Sequence, residues 1–306
     1  MLFHEAIKVA PISSHNDVSI YAGEMDGEWC VDSVPNGGYV LAQIIEACVQ
    51  QQSQCPHLDP IHVTAHFLNA ASLSPFEVHI RCLKRGKRFT NLVAELLQDK
   101  IVKVISHLIF GVLESPLTEG CGSENAINLL PPSPYARRVP LHHHPAQAPT
   151  TGLDRRYKFH SSPRRATSSD TIGGGGVDYG LWCGFKDKDE AVTISSLPFF
   201  ADISLNAPTS SSWFPTMTMN IEYKFTIPKT SKAHSNRTVG IFSSTNFING
   251  RLGRHDMYTE IWTAPSDIRS GAEAVEGWRN EQVCLAVSTQ MALTVPIAMN
   301  LAKGKL

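Results

Sequence analysis

Apolar residues in the first half of the chain recur first at helical spacing and then in strand-like alternation. Asn36-Gly37-Gly38 precedes YVLAQIIEACVQQ, whose apolar positions fall three and four residues apart. An asparagine and glycines before such a run are typical of a helix start. Four runs then predict strands: HVTAHFLNA from His62, FEVHIRCLKR from Phe76, FTNLVAELLQD from Phe89 and VKVISHLIFG from Val102.

The second half repeats this order of elements. SLPFFADISLNA from Ser196 predicts a short helix, and GVDYGLWCGFKD from Gly176 is a candidate strand before it. Four further runs predict strands: TMNIEYKFTI from Thr218, TVGIFSSTNFI from Thr238, HDMYTEIWT from His255 and VCLAVSTQMAL from Val283. One helix with four strands, twice over, is an internal repeat. We therefore predict an α+β double hotdog: two tandem antiparallel sheets, each wrapped around a helix, joined into one extended sheet.

Proline and glycine interrupt the pattern between the two halves. Pro131-Pro132-Ser133-Pro134 and Gly173–Gly176 break any regular element. We predict an N-terminal hotdog unit at 1–114, a Pro/Gly-rich linker at 115–176, and a C-terminal hotdog unit at 177–306 that carries the catalytic residues. The run His142-His143-His144 falls in this linker, where we expect no specific metal site.

Composition narrows the function classes. The 306 residues are 42% apolar and 18% charged, with a formal net charge of −1, so nothing electrostatic favours nucleic acid or an anionic membrane as partner. The seven cysteines are scattered without a CxxC pair, which argues against a disulfide framework or a zinc site. We expect no metal and no cofactor. No apolar run is long enough to span a bilayer, and the N-terminus lacks the pattern of a signal peptide.

These features predict a cytoplasmic protein without stable membrane insertion. The last three residues, Gly304-Lys305-Leu306, approach a peroxisomal address of the Ser-Lys-Leu type, with an ordinary C-terminus as the alternative. A homo-oligomer remains open.

Four segments resemble the acyl-CoA thioesterase II group and its fungal thioesterase-like relatives. The longest is AHFLNAASLSPFEVHIRCLKRGKRFTNLVAELLQD from Ala65. The others are LPFFADISL around Asp202, TMNIEYKF from Thr218 and AVSTQMAL around Gln290. The resemblance implies a double-hotdog hydrolase acting on an acyl-CoA or acyl-carrier thioester, with Asp202, Thr218 and Gln290 as catalytic residues.

Those three residue types suit hydrolysis by water without a covalent nucleophile. The carboxylate of Asp202 can polarise or deprotonate water, while a hydroxyl and an amide can orient it. The backbone N–H groups of Gly37 and Gly38, at a positive helix end, are candidate substrate-binding donors for the oxyanion. Tight packing of helix on sheet is the alternative reason for these glycines, and a solvent-exposed helix face is the alternative for Asp202.

The first unit lacks an equivalent set, which predicts one site per chain. Its helix has Glu46 as the only acid, and His107 lies near the position of Gln290. An insertion, APSDIRSGAEAVEGWRNEQ from Ala264, departs from the family pattern and is either a lid anchored by Trp278 or a surface excursion. Competing functions are a hotdog hydratase or dehydratase, which would pair the acid with a histidine, and a non-catalytic binder of acyl chains.

Overall fold

A computed structural model describes residues 1–15, 17–115, 131, 133–147, 152–153, 157–161, 165–166, 170, 172, 174–203, 212–250 and 253–303. The N-terminal unit contains two helices and eight strands in these ranges. In chain order they are α1 (Phe3–Ala6), β1 (Ala10–His15), β2 (Val18–Glu24), β3 (Cys30–Val31), β4 (Val34–Pro35), α2 (Gly37–Gln52), β5 (Asp59–Phe67), β6 (Pro75–Arg85), β7 (Thr90–Gln98) and β8 (Ile101–Gly111).

Three short strands precede the C-terminal unit: β9 (Gly152–Leu153), β10 (Tyr157–Ser161) and β11 (Arg165–Ala166). That unit then continues in the same style. Its elements are β12 (Val177–Phe185), α3 (Leu197–Asp202), β13 (Ser212–Trp213), β14 (Thr216–Tyr223), β15 (Thr238–Thr245), β16 (Ile248–Asn249), β17 (Arg254–Thr263), β18 (Cys284–Ala292), β19 (Val295–Pro296) and α4 (Ala298–Lys303).

One long antiparallel sheet runs through both units. Its strand order is β1-β2-β6-β7-β8-β5-β14-β18-β17-β15-β12-β10-β9. The strands β2-β6-β7-β8-β5 of the first unit therefore have the same order as β12-β15-β17-β18-β14 of the second, so the repeated part of each unit has five strands rather than four. The units join where β5 pairs with β14, centred on Thr64 opposite Asn220. This is the predicted double hotdog.

Helix α2 forms where the sequence predicts it because its start is capped and its length is apolar. The side chain of Asn36 accepts a hydrogen bond from the backbone of Tyr39 at 3.0 Å. Leu41, Ile44 and Ile45 are fully buried against the sheet. The same hydrophobic core continues into the second unit through Phe199 and its neighbours. The two units therefore share one core, and the site described below lies where their helices meet.

Part of the predicted linker is built into the second unit. Strand β10 pairs with β12 along its whole length. Within residues 133–147, Val139 and Leu141 are buried in a second cluster with Trp182 and Trp262. Arg137 also donates to the buried carboxylate of Glu260 at 2.7 Å. The domain boundary predicted at residue 176 therefore passes through continuous packing.

No helix in the described ranges combines the length and the apolar character needed to cross a membrane. Residues 304–306, the candidate peroxisomal address, lie outside the described residues.

Candidate active site

A cavity of about 470 Å³ lies between the two units. Its walls come from the hairpin of β3 and β4, the start of α2, the loop after β5, the end of α3, residues 212–217 and the segment after β18. Most of the lining is apolar and much of it is aromatic: Trp29, Phe67, Phe199, Trp213 and Phe214. A cavity of this size and character fits a small or medium apolar ligand.

Asp202 is the acidic side chain among the described residues that line this cavity. It is the last residue of α3 and faces the N-terminal end of α2. The backbone N–H of Gly38 donates to its Oδ2 at 2.8 Å, and the hydroxyl of Thr216 donates to its Oδ1 at 2.9 Å. A carboxylate at a helix N-terminus is stabilised by the positive end of the helix dipole. The acid comes from the second unit and the helix end from the first.

Glycine is required for this approach of one helix to the other. A Cβ at Gly38 would stand 2.3 Å from the carbonyl oxygen of Pro198 and 2.7 Å from the Cβ of Asp202. Both contacts are far inside van der Waals range, and one of them is with backbone. Gly37 is less constrained, since its Cβ would lie 3.1 Å from Asp202 Oδ2. The Gly-Gly pair therefore serves the junction of the two helices.

Burial raises the pKa of Asp202 to about 6. Hydrogen bonds from the backbone of Gly38, the side chains of Thr216 and Asn36, and the backbone of Gly37 act in the opposite direction and keep the rise from being larger. The group is therefore mainly ionised at neutral pH, yet it binds a proton more readily than an exposed aspartate. Such a pKa suits a general base that works near neutrality.

The structure does not bring Thr218 to Asp202. A β-bulge at Met217 shifts the register of β14, so that Thr216 pairs with Ala292 and Thr218 with Met291. Met219 faces the core and is fully buried, which places Thr218 on the opposite face of the sheet. Thr218 is also not among the described residues that line the cavity. Thr216 occupies the place beside the carboxylate that the sequence predicted for Thr218.

Gln290 lies on the core face of β18, next to the helix that carries Asp202. Its Nε2 donates to the backbone carbonyl of Ala201 at 2.9 Å. Its Oε1 is buried and has no hydrogen-bond partner among the described residues. A buried amide oxygen without a partner is costly. Gln290 is not among the described residues that line the cavity.

The first unit has no counterpart of Gln290. About the central pair of the sheet, Val63 corresponds to Met219, and Val63 pairs with Leu108 as Met219 pairs with Gln290. Leu108 is fully buried. His107, the residue predicted near this position, is one step away in the strand and therefore faces the other side of the sheet.

The insertion that begins at Ala264 packs away from the cavity. Ala264 and Ile268 are buried in the cluster around Val139, and the ring of Trp278 lies 5.9 Å from that of Trp182. None of the described residues of the insertion lines the cavity. Trp278 is thus an anchor, but for the segment at 133–147 rather than for a ligand.

Sequence reasoning missed the cavity walls that lie outside the repeat. The segment after β18 contributes Leu293, Val295 and Met299, and the residues before β14 contribute Trp213 and Phe214. The sequence signal for the segment after β18 is an apolar run at the end of the last predicted strand, and the residues before β14 carry none that we recognised. Among the described residues, the cavity lining contains no histidine, and no three His, Cys, Asp or Glu side chains form a group that could hold a metal ion.

Comparison with known families agrees with the predicted resemblance. Residues 25–111 match the family model of the acyl-CoA thioesterase N-terminal domain. The matched residues run from before the β3–β4 hairpin to the end of β8. The match includes Gly37 and Gly38 but ends well before Asp202.

Two curated fungal proteins are similar over part of the chain. One is the ustilagic acid biosynthesis cluster protein orf2 of Mycosarcoma maydis, 34% identical over 89 residues, which are 28% of this chain and 23% of that protein. The other is the thioesterase-like protein TwmA of Talaromyces wortmannii, 31% identical over 103 residues, which are 33% of this chain and 28% of that protein. The chain thus matches only about a quarter of the length of each relative.

Solved structures share the fold over nearly the whole chain. Acyl-CoA thioesterase II TesB2 of Mycobacterium marinum aligns with a TM-score of 0.65 at 14% identity, covering 96% of this chain and 98% of that one. A hot dog fold protein of unknown function from Alicyclobacillus acidocaldarius aligns with a TM-score of 0.65 at 15% identity, covering 95% and 97%. At such identities they establish the double-hotdog fold alone, which confirms the predicted fold.

Proposed function

We propose that this protein hydrolyses an acyl thioester to a free acid and a thiol, using a water molecule activated by Asp202. The observation that carries the proposal is the carboxylate itself, which lines an apolar cavity at the end of a helix and has its pKa raised to about 6. The matched thioesterase domain in the first unit supports the reaction class. We thus propose the same hydrolysis that the resemblance implies, with Thr216 rather than Thr218 beside Asp202.

In the proposed reaction, Asp202 accepts a proton from water while the water oxygen attacks the thioester carbonyl carbon. The tetrahedral intermediate collapses by breaking the C–S bond, and the thiolate leaves with the proton returned from Asp202. Thr216 holds the carboxylate through its hydrogen bond to Oδ1. Gln290 does not line the cavity, so we assign it the positioning of Asp202, through the hydrogen bond from its Nε2 to the carbonyl of Ala201 in the same helix.

The end of helix α2 has a role at both stages of this reaction. Before attack, the N–H of Gly38 is donated to Asp202. As Asp202 takes the proton, its negative charge disappears and a charge of the same sign develops on the carbonyl oxygen. We assign the N–H of Gly37, which lines the cavity, to that oxyanion, because the helix end then faces a neutral acid. The predicted substrate-binding role is therefore proposed for Gly37, whereas Gly38 holds the acid.

The cavity lining argues against the hydratase or dehydratase alternative. That chemistry would need a histidine beside the acid, and the described lining residues include none. His255 has its ring 5.9 Å from that of the lining residue Phe214, and its Nδ1 lies 2.9 Å from the carbonyl oxygen of Gly253. A non-catalytic acyl binder would need the cavity but not the polarised carboxylate.

The substrate class is an apolar acyl chain on coenzyme A or on a carrier protein. One fungal relative is named for a biosynthesis cluster and the other as thioesterase-like, which supports fatty acyl or polyketide thioesters as substrates. We propose a soluble, cytoplasmic location for this reaction, with the peroxisome as the alternative.

The test measures thiol release from a panel of straight-chain acyl-CoA substrates and from the same acyl groups on a carrier protein. We expect release from at least one series, and loss of release in Asp202→Asn. Hydration of an enoyl-CoA without thiol release would favour the hydratase instead. Binding of acyl-CoA without turnover in either series would favour the acyl binder.

A further inference from the structure

The segment after β18 forms a wall of the cavity and belongs to neither hotdog repeat. Leu293, Val295 and Met299 line the cavity from this side. Val295 is buried, whereas Met299 keeps about half of its surface exposed. The wall is therefore apolar where it meets the cavity and ends in a long, unbranched side chain.

The first attachment of this segment is to its own unit. Strand β19 pairs with β13, with Val295 opposite Trp213. Trp213 lines the same cavity, so the two-stranded ribbon presents apolar side chains from both of its strands. This fixes the near end of the segment beside the site.

The second attachment is to the other unit, through Asn300 on α4. Asn300 is fully buried. Its Nδ2 donates to the carbonyl of Val31 at 3.0 Å, and its Oδ1 accepts from the backbone N–H and the hydroxyl of Ser33 at 3.2 and 2.9 Å. The hydroxyl of Ser33 also lies 2.9 Å from the carbonyl oxygen of Asn300. A buried amide that is hydrogen-bonded through both its nitrogen and its oxygen specifies one position of α4.

The partner of this latch is itself a wall of the cavity. Val31 and Ser33 belong to the tight hairpin of β3 and β4, in which Asp32 has a positive φ of 53°. The hairpin contributes Val31 and Val34 to the lining, and the chain then runs directly into the start of α2 beside Asp202. Asn300 thus holds the C-terminal wall at a set distance from the wall that leads to the candidate catalytic residue.

We propose that this latched C-terminal wall determines which acyl groups the cavity accepts, with Met299 as the specificity-determining residue and Asn300 as its positioning residue. The inference rests on the proposed thioesterase function and deepens it: the substrate carries an apolar acyl chain whose far end lies against Met299. Met299 limits the length of that chain, and a larger side chain there shortens the limit.

The test compares Met299→Trp and Met299→Ala with the parent on short, medium and long acyl thioesters. Each buried methylene contributes about fourfold to binding, so excluding two or three of them lowers kcat/KM by about 15- to 60-fold. We expect Met299→Trp to lose this much on the longest accepted chains and about twofold or less on the shortest. Met299→Ala should raise kcat/KM on chains longer than the parent accepts.

A matched control is Leu301→Ala on the same short helix. Leu301 is about half exposed, like Met299, but it is not among the described cavity-lining residues. Its chain-length profile should be that of the parent. If both Met299 variants are folded and active with the parent's profile, or if Leu301→Ala shifts the profile equally, the inference is overturned.

Asn300→Ala tests the latch separately. It leaves the Val31 carbonyl and the Ser33 N–H without their partner, so the wall should lose its fixed position. We expect KM to rise for the longest accepted chains while kcat on the shortest stays within about threefold, a split that general destabilisation does not produce. Equal loss of kcat on all chain lengths would remove the positioning role.

Failure of the proposed function would be visible independently. In that case the parent releases no thiol from any thioester, and the wall is tested by the affinity of the same variants for free fatty acids, measured by displacement of a fluorescent fatty acid. Met299→Trp should weaken the binding of long-chain fatty acids and leave the binding of short ones unchanged. If the variants bind free fatty acids of every length as the parent does, the C-terminal wall does not select chain length even in a non-catalytic binder.

Discussion

The two units follow the same strand order but use their helices differently. Each helix contributes one carboxylate to the start of the other. Asp202 on α3 accepts from the N–H of Gly38 at the start of α2, and Glu46 on α2 accepts from the hydroxyl of Ser195, just before α3, at 2.8 Å. The contacts are reciprocal, as expected for a repeated unit.

What differs is the surroundings of the two carboxylates. Asp202 meets a backbone N–H at a helix end and lines the cavity, whereas Glu46 meets a side-chain hydroxyl and its helix neighbour Gln50. Under the helices, the second unit places Gln290 where the first unit places Leu108. At equivalent positions beneath the helices, the repeat therefore places a polar side chain in the second unit and an apolar one in the first. The candidate site is complete only because the first unit lends its Gly-Gly helix start to the acid of the second.

The largest expected effect is that of Asp202→Asn, because it removes the proton acceptor and keeps the shape of the side chain. Loss of a proton-transfer group costs about 10²- to 10⁴-fold in rate. Thiol release at saturating substrate measures it, with circular dichroism as a check of the fold. A variant within tenfold of the parent would mean that the two carboxylates are functionally alike and that the chemistry lies elsewhere.

A smaller effect distinguishes the two threonines of β14. Thr216→Val removes the hydroxyl that donates to Asp202, and a lost hydrogen bond to a charged group corresponds to roughly 10- to 100-fold in rate. It should also raise the pKa of Asp202, which moves the acid limb of kcat/KM to higher pH.

Thr218→Val is the matched control on the outer face of the same strand. Valine is favourable in strands, so we expect kcat/KM within about twofold of the parent. The same comparison decides between the sequence prediction and the structure: a large loss in Thr218→Val with a silent Thr216→Val would restore Thr218 to the site.

Stability should move in the direction opposite to activity when Asp202 is replaced. Its pKa is raised from 3.8 to about 6, so the folded state binds the proton more tightly than the unfolded state. The resulting stabilisation is complete below pH 3.8 and is lost as pH rises through about 6. Asp202→Asn should therefore be more stable than the parent by about 1–3 kcal/mol near pH 8 and similar to it near pH 4.

Urea denaturation at the two pH values measures this difference. An Asp202→Asn variant that is less stable than the parent near pH 8 would show that the carboxylate contributes to folding rather than opposing it.

The smallest effect is expected for Glu46→Gln. The amide can still accept from Ser195, so thiol release should stay within about twofold and stability within about 1 kcal/mol. This variant sharpens the contrast between the units. A loss comparable with that of Asp202→Asn would indicate a second working carboxylate in the chain and would contradict the prediction of one site.

Much of the fold was predictable because alternation and turn residues are local signals. The strands from His62 to Gly111 lie where the sequence predicts them, and Asp99 and Lys100 both adopt the positive φ of a two-residue hairpin turn. The short strands in the predicted linker escaped notice, since two to five residues among prolines and glycines carry no periodicity. The bulge at Met217 also has no clear sequence signature, and it alone moved the assignment from Thr218 to Thr216.

By itself, the sequence determined the repeat and the apolar helices, because each depends on residues that are near one another in the chain, and the resemblance of LPFFADISL pointed to Asp202. Only the tertiary structure decided that the Gly-Gly start of α2 meets that acid, since the two are 164 residues apart. It also decided that Leu108 rather than His107 matches Gln290, because strand pairing sets which face a side chain occupies. The cavity walls that contain Trp213 and Met299 were also decided only by the tertiary structure, because they come from segments outside the repeat that pack across the junction of the two units.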